Sequence, residues 1–338
     1  MAGVAEDIRR LAGELFQAGK IDLLIGFEQG TGSYRARPVF VESAAGAEGL
    51  TWDSTCSSNL AVYLPSLFRR EPQKKGAERA LPRVAVVAKA CDMRSLVALI
   101  KEKQAPRENL FIIGIPCRGM VDERKLAAEM EKATGRVDVT DLSESEDSIC
   151  ATTPDGRKVE MAREPLVQDA CRECRFPVPQ GADATVAAPS RPPANGDDGA
   201  VLQFSRRADE ERWKSFEEEI SRCIRCYACR QACPTCYCTE CFAETNRPAW
   251  IGATAEITDT MIFHIIRIFH QAGRCVECDA CVRACPMGID LRPFAGKIAL
   301  DVREMFGFTP GFDLESPPPL ITFKDDDRQD FITEPHRG

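Results

Sequence analysis

The residues best suited to chemistry in this sequence are cysteines, and eight of them form two runs with the same spacing. Each run reads C-x2-C-x2-C-x3-C-P, from Cys223 to Pro234 and again from Cys275 to Pro286. Four thiolates hold one [4Fe–4S] cube, and in paired runs of this kind the fourth cysteine of each run ligates the other cluster. The spacing therefore predicts two cubes. The first cysteine set comprises Cys223, Cys226, Cys229 and Cys285, and the second cysteine set comprises Cys275, Cys278, Cys281 and Cys233.

Zinc sites and disulfides are the competing interpretations of closely spaced cysteines. Structural zinc uses separated C-x2-C pairs, and a disulfide framework does not require triplets at two-residue gaps. The chain has 17 cysteines in 338 residues, yet it opens with the charged, amphipathic stretch MAGVAEDIRRLAGELF, which lacks the apolar core of a signal peptide. We therefore expect a cytoplasmic protein whose cysteines bind iron–sulfur clusters rather than form disulfides.

The charge and hydropathy of the sequence argue against a nucleic-acid partner and against a membrane span. The formal net charge of −8 argues against nucleic acid. The most apolar helical candidate, Met261–Phe269, is interrupted by His264 and Arg267 and is far shorter than the roughly 20 residues that a membrane span requires. We expect a protein that binds no nucleic acid and does not span a membrane.

Periodicity and composition divide the chain into an α/β N-terminal domain and a mainly α-helical, two-cluster ferredoxin-like C-terminal domain. The predicted boundaries are 1–176 for the α/β domain, 177–209 for a flexible linker rich in Ala, Pro, Gly and Asp, 210–300 for the dicluster domain and 301–338 for a C-terminal extension. The predicted strands are Ile21–Phe27, Pro38–Val41, Val84–Ala88 and Leu110–Ile115. The predicted helices are Ser57–Arg69, Met93–Lys103, Glu123–Lys132, Glu210–Ile224 and Glu256–Ala272.

Further cysteines in the first domain suggest a third cluster. Cys91 and Cys117 each follow a predicted strand, and Cys171 and Cys174 form a C-x2-C pair. Ligands of open α/β sheets bind at the carboxyl ends of the strands, so these four residues, the N-terminal cysteine set, are expected to converge on a third [4Fe–4S] cluster. In the alternative, Cys91 and Cys117 are small buried apolar residues and the pair binds zinc or nothing.

Five cysteines and four basic residues have less certain roles. Three cysteines follow the first run and are one ligand short of a cube, so a fourth cluster completed from elsewhere and a local metal or thiol site both stay open. The three are Cys236, Cys238 and Cys241, while Cys56 and Cys150 are spare candidates in the first domain. Arginines can neutralise cluster charge, and histidines on an apolar helix more often pack and cap than tune a cofactor. These are Arg267, Arg274, His264 and His270.

The second domain resembles the ferredoxin-type module of hydrogenase and dehydrogenase electron-transfer subunits, particularly in FHIIRIFHQAGRCVECDACVRACPMGID. The first domain is similar to the beta subunit of coenzyme F420 (deazaflavin) hydrogenases and dehydrogenases. It shares KACD at Lys89–Asp92, IPCRGM at Ile115–Met120, and the Cys171 and Cys174 pair. The resemblance implies a cluster and a flavin such as FAD in this domain. The chain has no G-x-G-x-x-G dinucleotide fingerprint, which leaves the flavin an open question.

Two functions follow from these patterns. In the first, the chain is the iron–sulfur electron-transfer subunit of a soluble anaerobic redox complex, with a hydrogenase, a formate dehydrogenase or a heterodisulfide-reductase-like flavoprotein as partner. The sequence offers no nucleophile with a base and no hydride-cofactor motif, so bond chemistry is expected on the partner and no catalytic residue is assigned. In the second, the chain is a flavin-containing oxidoreductase that reduces a deazaflavin or a similar two-electron carrier.

Overall fold

The computed structural model describes residues 2–32, 35–69, 80–195, 199–323 and 325. The strands are β1 (Leu23–Gln29), β2 (Ala36–Val41), β3 (Val84–Ala88), β4 (Leu110–Gly114), β5 (Asp141–Glu144), β6 (Ser148–Thr152), β7 (Lys158–Ala162) and β8 (Ala184–Thr185). The α-helices are α1 (Ala2–Gln17), α2 (Ala44–Ala47), α3 (Leu64–Leu67), α4 (Ala90–Lys101), α5 (Glu123–Thr134), α6 (Arg163–Leu166), α7 (Asp169–Arg172), α8 (Gly199–Ser205), α9 (Asp209–Ile220), α10 (Ala228–Gln231), α11 (Ile257–His270), α12 (Ala280–Arg283) and α13 (Arg292–Phe306).

The N-terminal region is built on a sheet with the strand order β2-β1-β3-β4-β8. The pairs β1–β3, β3–β4 and β4–β8 are parallel, and β2 runs antiparallel to β1 at the edge. All five residues of β3, VAVVA, are buried, as expected for a parallel strand covered on both faces. The predicted mixed α/β architecture of this region is confirmed.

The helix after β3 places Cys91 at the carboxyl end of the sheet. Helix α4 begins directly after Lys89, whose backbone N–H donates to the carboxylate of Asp92 at 2.9 Å. This contact satisfies one of the unpaired N–H groups at the start of the helix. Cys91 therefore lies in the first turn, and the predicted helix Met93–Lys103 starts three residues earlier, at Ala90.

The helix predicted at Ser57–Arg69 is shorter in the structure. The Asn59 side chain accepts a hydrogen bond from the Ala61 N–H at 3.1 Å and starts a 3-10 turn over Leu60–Tyr63. Only α3 follows as a single α-helical turn, with Pro65 in its first positions, where a missing N–H costs nothing. The residues from 57 to 59 are a loop that faces the second domain.

A three-stranded antiparallel sheet, β5-β6-β7, was not predicted from the sequence. Its central strand β6 alternates half-buried and buried residues, with Ile149 and Ala151 inside. These two pack with Leu126 and Met130 of α5 in a small separate core. The strands have four or five residues each and many polar side chains, which makes their alternation hard to recognise.

The segment expected to be a flexible linker, 177–209, packs against both regions over its described residues. Strand β8 extends the main sheet, with Ala184 paired to Ile113. Helix α8 buries Val201 and Phe204 against α13, where the Phe204 and Phe294 rings lie 5.3 Å apart. This segment has too few large apolar residues to form a core of its own. Those that it has are enough to attach it to the cores of the two regions.

The C-terminal region is mainly helical, with α9, α11 and α13 around a core that includes Phe216, Ile220 and Phe263. Helix α13 continues to Phe306 and ends at Gly307, which has a φ of 61°. It therefore crosses the predicted boundary at residue 300. Over the described part of the chain, the helices are too short or too polar to cross a membrane. The end of the predicted extension, from residue 326, lies outside the described residues.

Candidate iron–sulfur sites

The two cysteine runs fold into loops with the same backbone. In the first run, Arg225 and Tyr227 have φ values of 56° and 59°, and at the matching positions of the second run Glu277 and Asp279 have values of 59° and 55°. Positive φ is uncommon for residues other than glycine. Each loop then enters a single helical turn, α10 or α12. The sequence duplication is thus also a duplication of an unusual backbone conformation that turns successive cysteines toward one point.

The four residues of the first cysteine set line one small cavity. Cys285 reaches it from the end of the second run, so the structure brings together the exchanged set that the spacing predicts. Phe263, Ile289 and Leu291 form apolar walls. Cys226 is exposed, whereas Cys229 and Cys285 are buried. One corner of this site therefore faces the surface.

The second cysteine set lines a larger cavity between the two regions. The same cavity is lined by all four residues of the N-terminal cysteine set, so the predicted second and third sites are neighbours. The backbone N–H of Gly119 donates to Cys117 Sγ at 3.3 Å, and that of Met120 donates to Cys171 Sγ at 3.4 Å. Such N–H···S bonds favour the thiolate form that binds iron.

Burial raises the pKa of several thiols in these sites when no metal is bound. It raises the pKa of Cys117 and of Cys281 to about 12, and that of Cys91 well above its usual range. A buried thiol cluster of this kind is unfavourable as a set of free thiolates and needs compensating positive charge. Iron supplies such charge when a cluster is bound.

Two buried cations lie beside these cysteines, and Arg267 provides further compensation. Arg267 donates to the Cys229 carbonyl oxygen at 2.9 Å, and although burial lowers its pKa, the thiols of Cys281, Cys236, Cys233 and Cys229 raise it overall. Lys89 donates to Asp92 at 2.8 Å, with its Nζ 4.9 Å from the centre of the Phe27 ring. Burial also lowers the pKa of Lys89, but Asp92 and the nearby thiols outweigh that effect and raise it.

His264 lies at the first site, and His270 does not. The Nε2 atom of His264 is 3.3 Å from Cys223 Sγ, and burial, with Arg267 and Arg225 nearby, lowers its pKa to about 3. A neutral ring is therefore expected beside this cysteine. His270 contacts the edge of Phe242 instead, with ring centres 5.5 Å apart. His270 therefore packs against another ring, whereas His264 borders the predicted cluster.

Two arginines at the domain boundary make contacts that the sequence does not reveal. Arg283 donates to the carbonyl oxygens of Cys278 and Ser57, at 2.7 and 3.0 Å, and to Gln168 Oε1 at 3.0 Å. Arg94 donates to the Val276 carbonyl oxygen at 2.9 Å. Both arginines join the loop of the second set to the first domain. Their only sequence signal was a basic residue near a cysteine, which is more often a surface residue.

The remaining cysteines are scattered. Cys56 is fully buried in the core of the first domain, and Cys150 lies in β6. Cys238 is exposed, and Cys241 packs against the C-terminal core. Cys236 lies beside the second set, where the buried Gln271 donates to its Sγ at 3.3 Å. In the described residues, no three His, Cys, Asp or Glu side chains converge on the position of a single metal ion.

Two family models match successive parts of this chain. Residues 81–215 match the family model for the C terminus of the beta subunit in coenzyme F420 hydrogenase/dehydrogenase, and residues 219–289 match the model of a 4Fe-4S dicluster domain. The predicted order of a beta-subunit-like region followed by a dicluster domain is confirmed, and it indicates an iron–sulfur electron-transfer function.

Two curated relatives align over most of their length. The F420-dependent formate dehydrogenase subunit beta of Methanocaldococcus jannaschii is 23% identical, over 88% of this chain and 89% of the relative. The F420-dependent formate dehydrogenase 1 subunit beta of Methanococcus maripaludis is 26% identical, over 90% of each. A chain of the F420-reducing [NiFe] hydrogenase complex from Methanosarcina barkeri is a structural neighbour, with a TM-score of 0.40 and 16% identity over 56% of this chain and 64% of that one.

Proposed function

We propose that this chain is the relay subunit of an anaerobic redox complex and carries three [4Fe–4S] clusters. The observation that carries the proposal is the cavity between the two regions, which is lined by two complete groups of four cysteines. Each group has the number of thiols that one cube requires. A bound cube supplies one-electron chemistry, so two such sites in one cavity favour rapid exchange between them.

The three sites would form a path from the interior to the surface. The N-terminal and second sets share the interior cavity, while the first set is joined to the second through the exchanged residues Cys233 and Cys285. The exposed Cys226 marks the surface end of the path. Electrons would leave or enter at this corner, where a partner protein can approach.

The protein's own residues support this role through charge and rigidity. Arg267 holds buried positive charge beside the cysteines, which favours retention of an anionic cluster. Arg283 and Arg94 fix the loop of the second set to the first domain. This bracing would hold the distance between the second and third sites constant.

The names of the relatives indicate the kind of partner. Both are beta subunits of formate dehydrogenases that depend on F420. We infer that this chain likewise serves a catalytic partner of the formate dehydrogenase or hydrogenase type, which performs the bond chemistry. The relay would pass the resulting electrons, one at a time, between the clusters and the next redox centre of the complex.

A flavin-containing oxidoreductase is the second candidate, and one observation favours it. Arg94 lines the shared cavity, and its buried Nη2 atom has no hydrogen-bond partner among the described residues. An unpaired guanidinium N–H in a cavity is suited to a phosphate or a flavin carbonyl. In this alternative, FAD would bind near the third site and reduce F420 or a similar carrier.

The two candidates differ in what the isolated chain can do. The chain should be purified anaerobically, analysed for iron, sulfide and flavin, and assayed for reduction of F420 alone and after reconstitution with its catalytic partner. The relay proposal predicts little flavin and little turnover by the lone chain. Stoichiometric flavin and comparable turnover without the partner would refute it and establish the oxidoreductase.

A further inference from the structure

A fifth thiol, which the cluster spacing does not require, lies next to the second site and contacts Gln271 of its lining. Cys236 follows Cys233 by three residues, and its backbone N–H donates to the Cys233 carbonyl oxygen at 3.1 Å. The second run ends in the same kind of turn, in which the Gly288 N–H donates to the Cys285 carbonyl oxygen at 3.2 Å. Both runs therefore end in a turn closed by the same hydrogen bond, but only the first has a thiol at the end of it, where the second has Gly288 with a φ of 64°.

The side chains around this turn hold the two thiols together. The buried Gln271 contacts both: its Oε1 atom lies 3.7 Å from Cys233 Sγ, and its Nε2 atom donates to Cys236 Sγ at 3.3 Å. The Thr235 hydroxyl donates to the same Oε1 atom. One amide thus fixes two neighbouring sulfurs next to a single ligand position.

A second observation at the same place is a buried cation directed at these thiols. Arg267 is 6% exposed, lines the cavity of the second set, and its Nε atom has no hydrogen-bond partner among the described residues. Its positive charge acts on Cys236 as well as on Cys233. A buried cation at this corner of the site can compensate the charge of a thiolate ligand bound there.

We propose that Cys236 is an alternative ligand of the second cluster and can take the position of Cys233. This inference rests on the proposed cluster sites. In the exchange, the bond from iron to Cys233 Sγ breaks and a bond from the same iron to Cys236 Sγ forms, while the thiol proton passes from Cys236 to Cys233. No electron is gained or lost. The first site has no such alternative ligand, because Gly288 occupies the matching position.

The duplication supplies a matched pair of variants. Cys233→Ser and Cys285→Ser each remove the fourth cysteine of one run. The double variant Cys233→Ser/Cys236→Ser also removes the proposed alternative ligand. Each full-length protein is isolated anaerobically, and its iron content and the EPR spectrum of its reduced clusters are compared with those of the wild type. Cys275→Ser, which removes a ligand that has no neighbouring substitute, tests whether the second cluster exists at all.

We expect Cys233→Ser to keep the iron content and spectrum of a complete second cluster, whereas Cys285→Ser and the double variant each lose about four irons. Equal iron loss from Cys233→Ser and Cys285→Ser would overturn the inference. So would failure of Cys233→Ser to fold where Cys285→Ser folds, because an exchanged ligand leaves the second site intact. If Cys275→Ser keeps all of the wild-type iron, the proposed second cluster itself is wrong.

Discussion

Arg267 offers a test of how the protein sets the potentials of its clusters. It is buried, and it donates to the Cys229 carbonyl oxygen at 2.9 Å while its charge acts on thiols of both cysteine sets. Replacing it with Gln removes one positive charge and keeps a hydrogen-bond donor. Reduction adds a negative charge to a cluster, so loss of the cation should make reduction less favourable and the midpoint potentials more negative.

The magnitude follows from Coulomb's law. For a charge about 7 Å from the cluster and an effective dielectric constant of about 20, the interaction is about 2.4 kcal/mol. With roughly 59 mV for each 1.4 kcal/mol in a one-electron couple, the expected shift is about 100 mV. Arg267→Lys keeps the charge and should shift the potentials much less.

Arg274→Gln is the matched control. Arg274 lies close to the second run, but it is 28% exposed and already pairs with Glu102 at 2.5 Å. Solvent and the carboxylate screen its charge, so its loss should have little effect. The assay is an EPR-monitored redox titration of each variant with its full iron content. Unchanged potentials in Arg267→Gln, or equal shifts in both Gln variants, would refute the reasoning.

Three further outcomes are expected. The double variant Cys171→Ser/Cys174→Ser should lose about four irons by chemical analysis and keep the spectra of the other two clusters. Gly296→Ala should lower the thermal unfolding midpoint measured by circular dichroism, because the new Cβ would lie 2.6 Å from a methyl group of Val201 in α8. Gly13→Ala is the control: its new Cβ has nothing within 4 Å, so it should be neutral or stabilising by up to about 1 kcal/mol. Arg283→Gln should destabilise the holoprotein by about 2–4 kcal/mol in denaturant unfolding, since it loses charge-assisted bonds to the first domain.

Each of these three predictions has a result that would contradict it. Full iron in a folded Cys171→Ser/Cys174→Ser variant would remove the third cluster from the proposal. Equal midpoints for the two glycine variants would mean that α8 does not pack closely on α13. An unchanged unfolding free energy in Arg283→Gln would mean that this side chain does not brace the two domains.

The cysteine sites were largely predictable because cluster ligation imposes a strict spacing. The run beginning at Cys223 and the run beginning at Cys275 define both sets by spacing alone, and the cavities gather the same residues. The strand VAVVA was likewise evident, because only a strand buried on both faces is apolar at every position. In both cases a local pattern has one dominant physical cause.

Long-range packing was less predictable. The helix containing Val201 lies in a segment whose composition suggests a linker, and only contact with α13 gives it a place in the fold. The contact of His264 with Cys223 spans 41 residues along the chain. Arg283 and Gln168 are 115 residues apart. Such contacts depend on how the two domains dock, which no local spacing reveals.

The number of clusters is the most direct test of the relay. Iron and acid-labile sulfide should be measured on the anaerobically purified chain, together with EPR of the reduced protein. Three cubes predict about twelve irons and twelve sulfides per chain, with spectra broadened by coupling between neighbouring clusters. About four irons or fewer in intact protein, or stoichiometric zinc in their place, would contradict the relay.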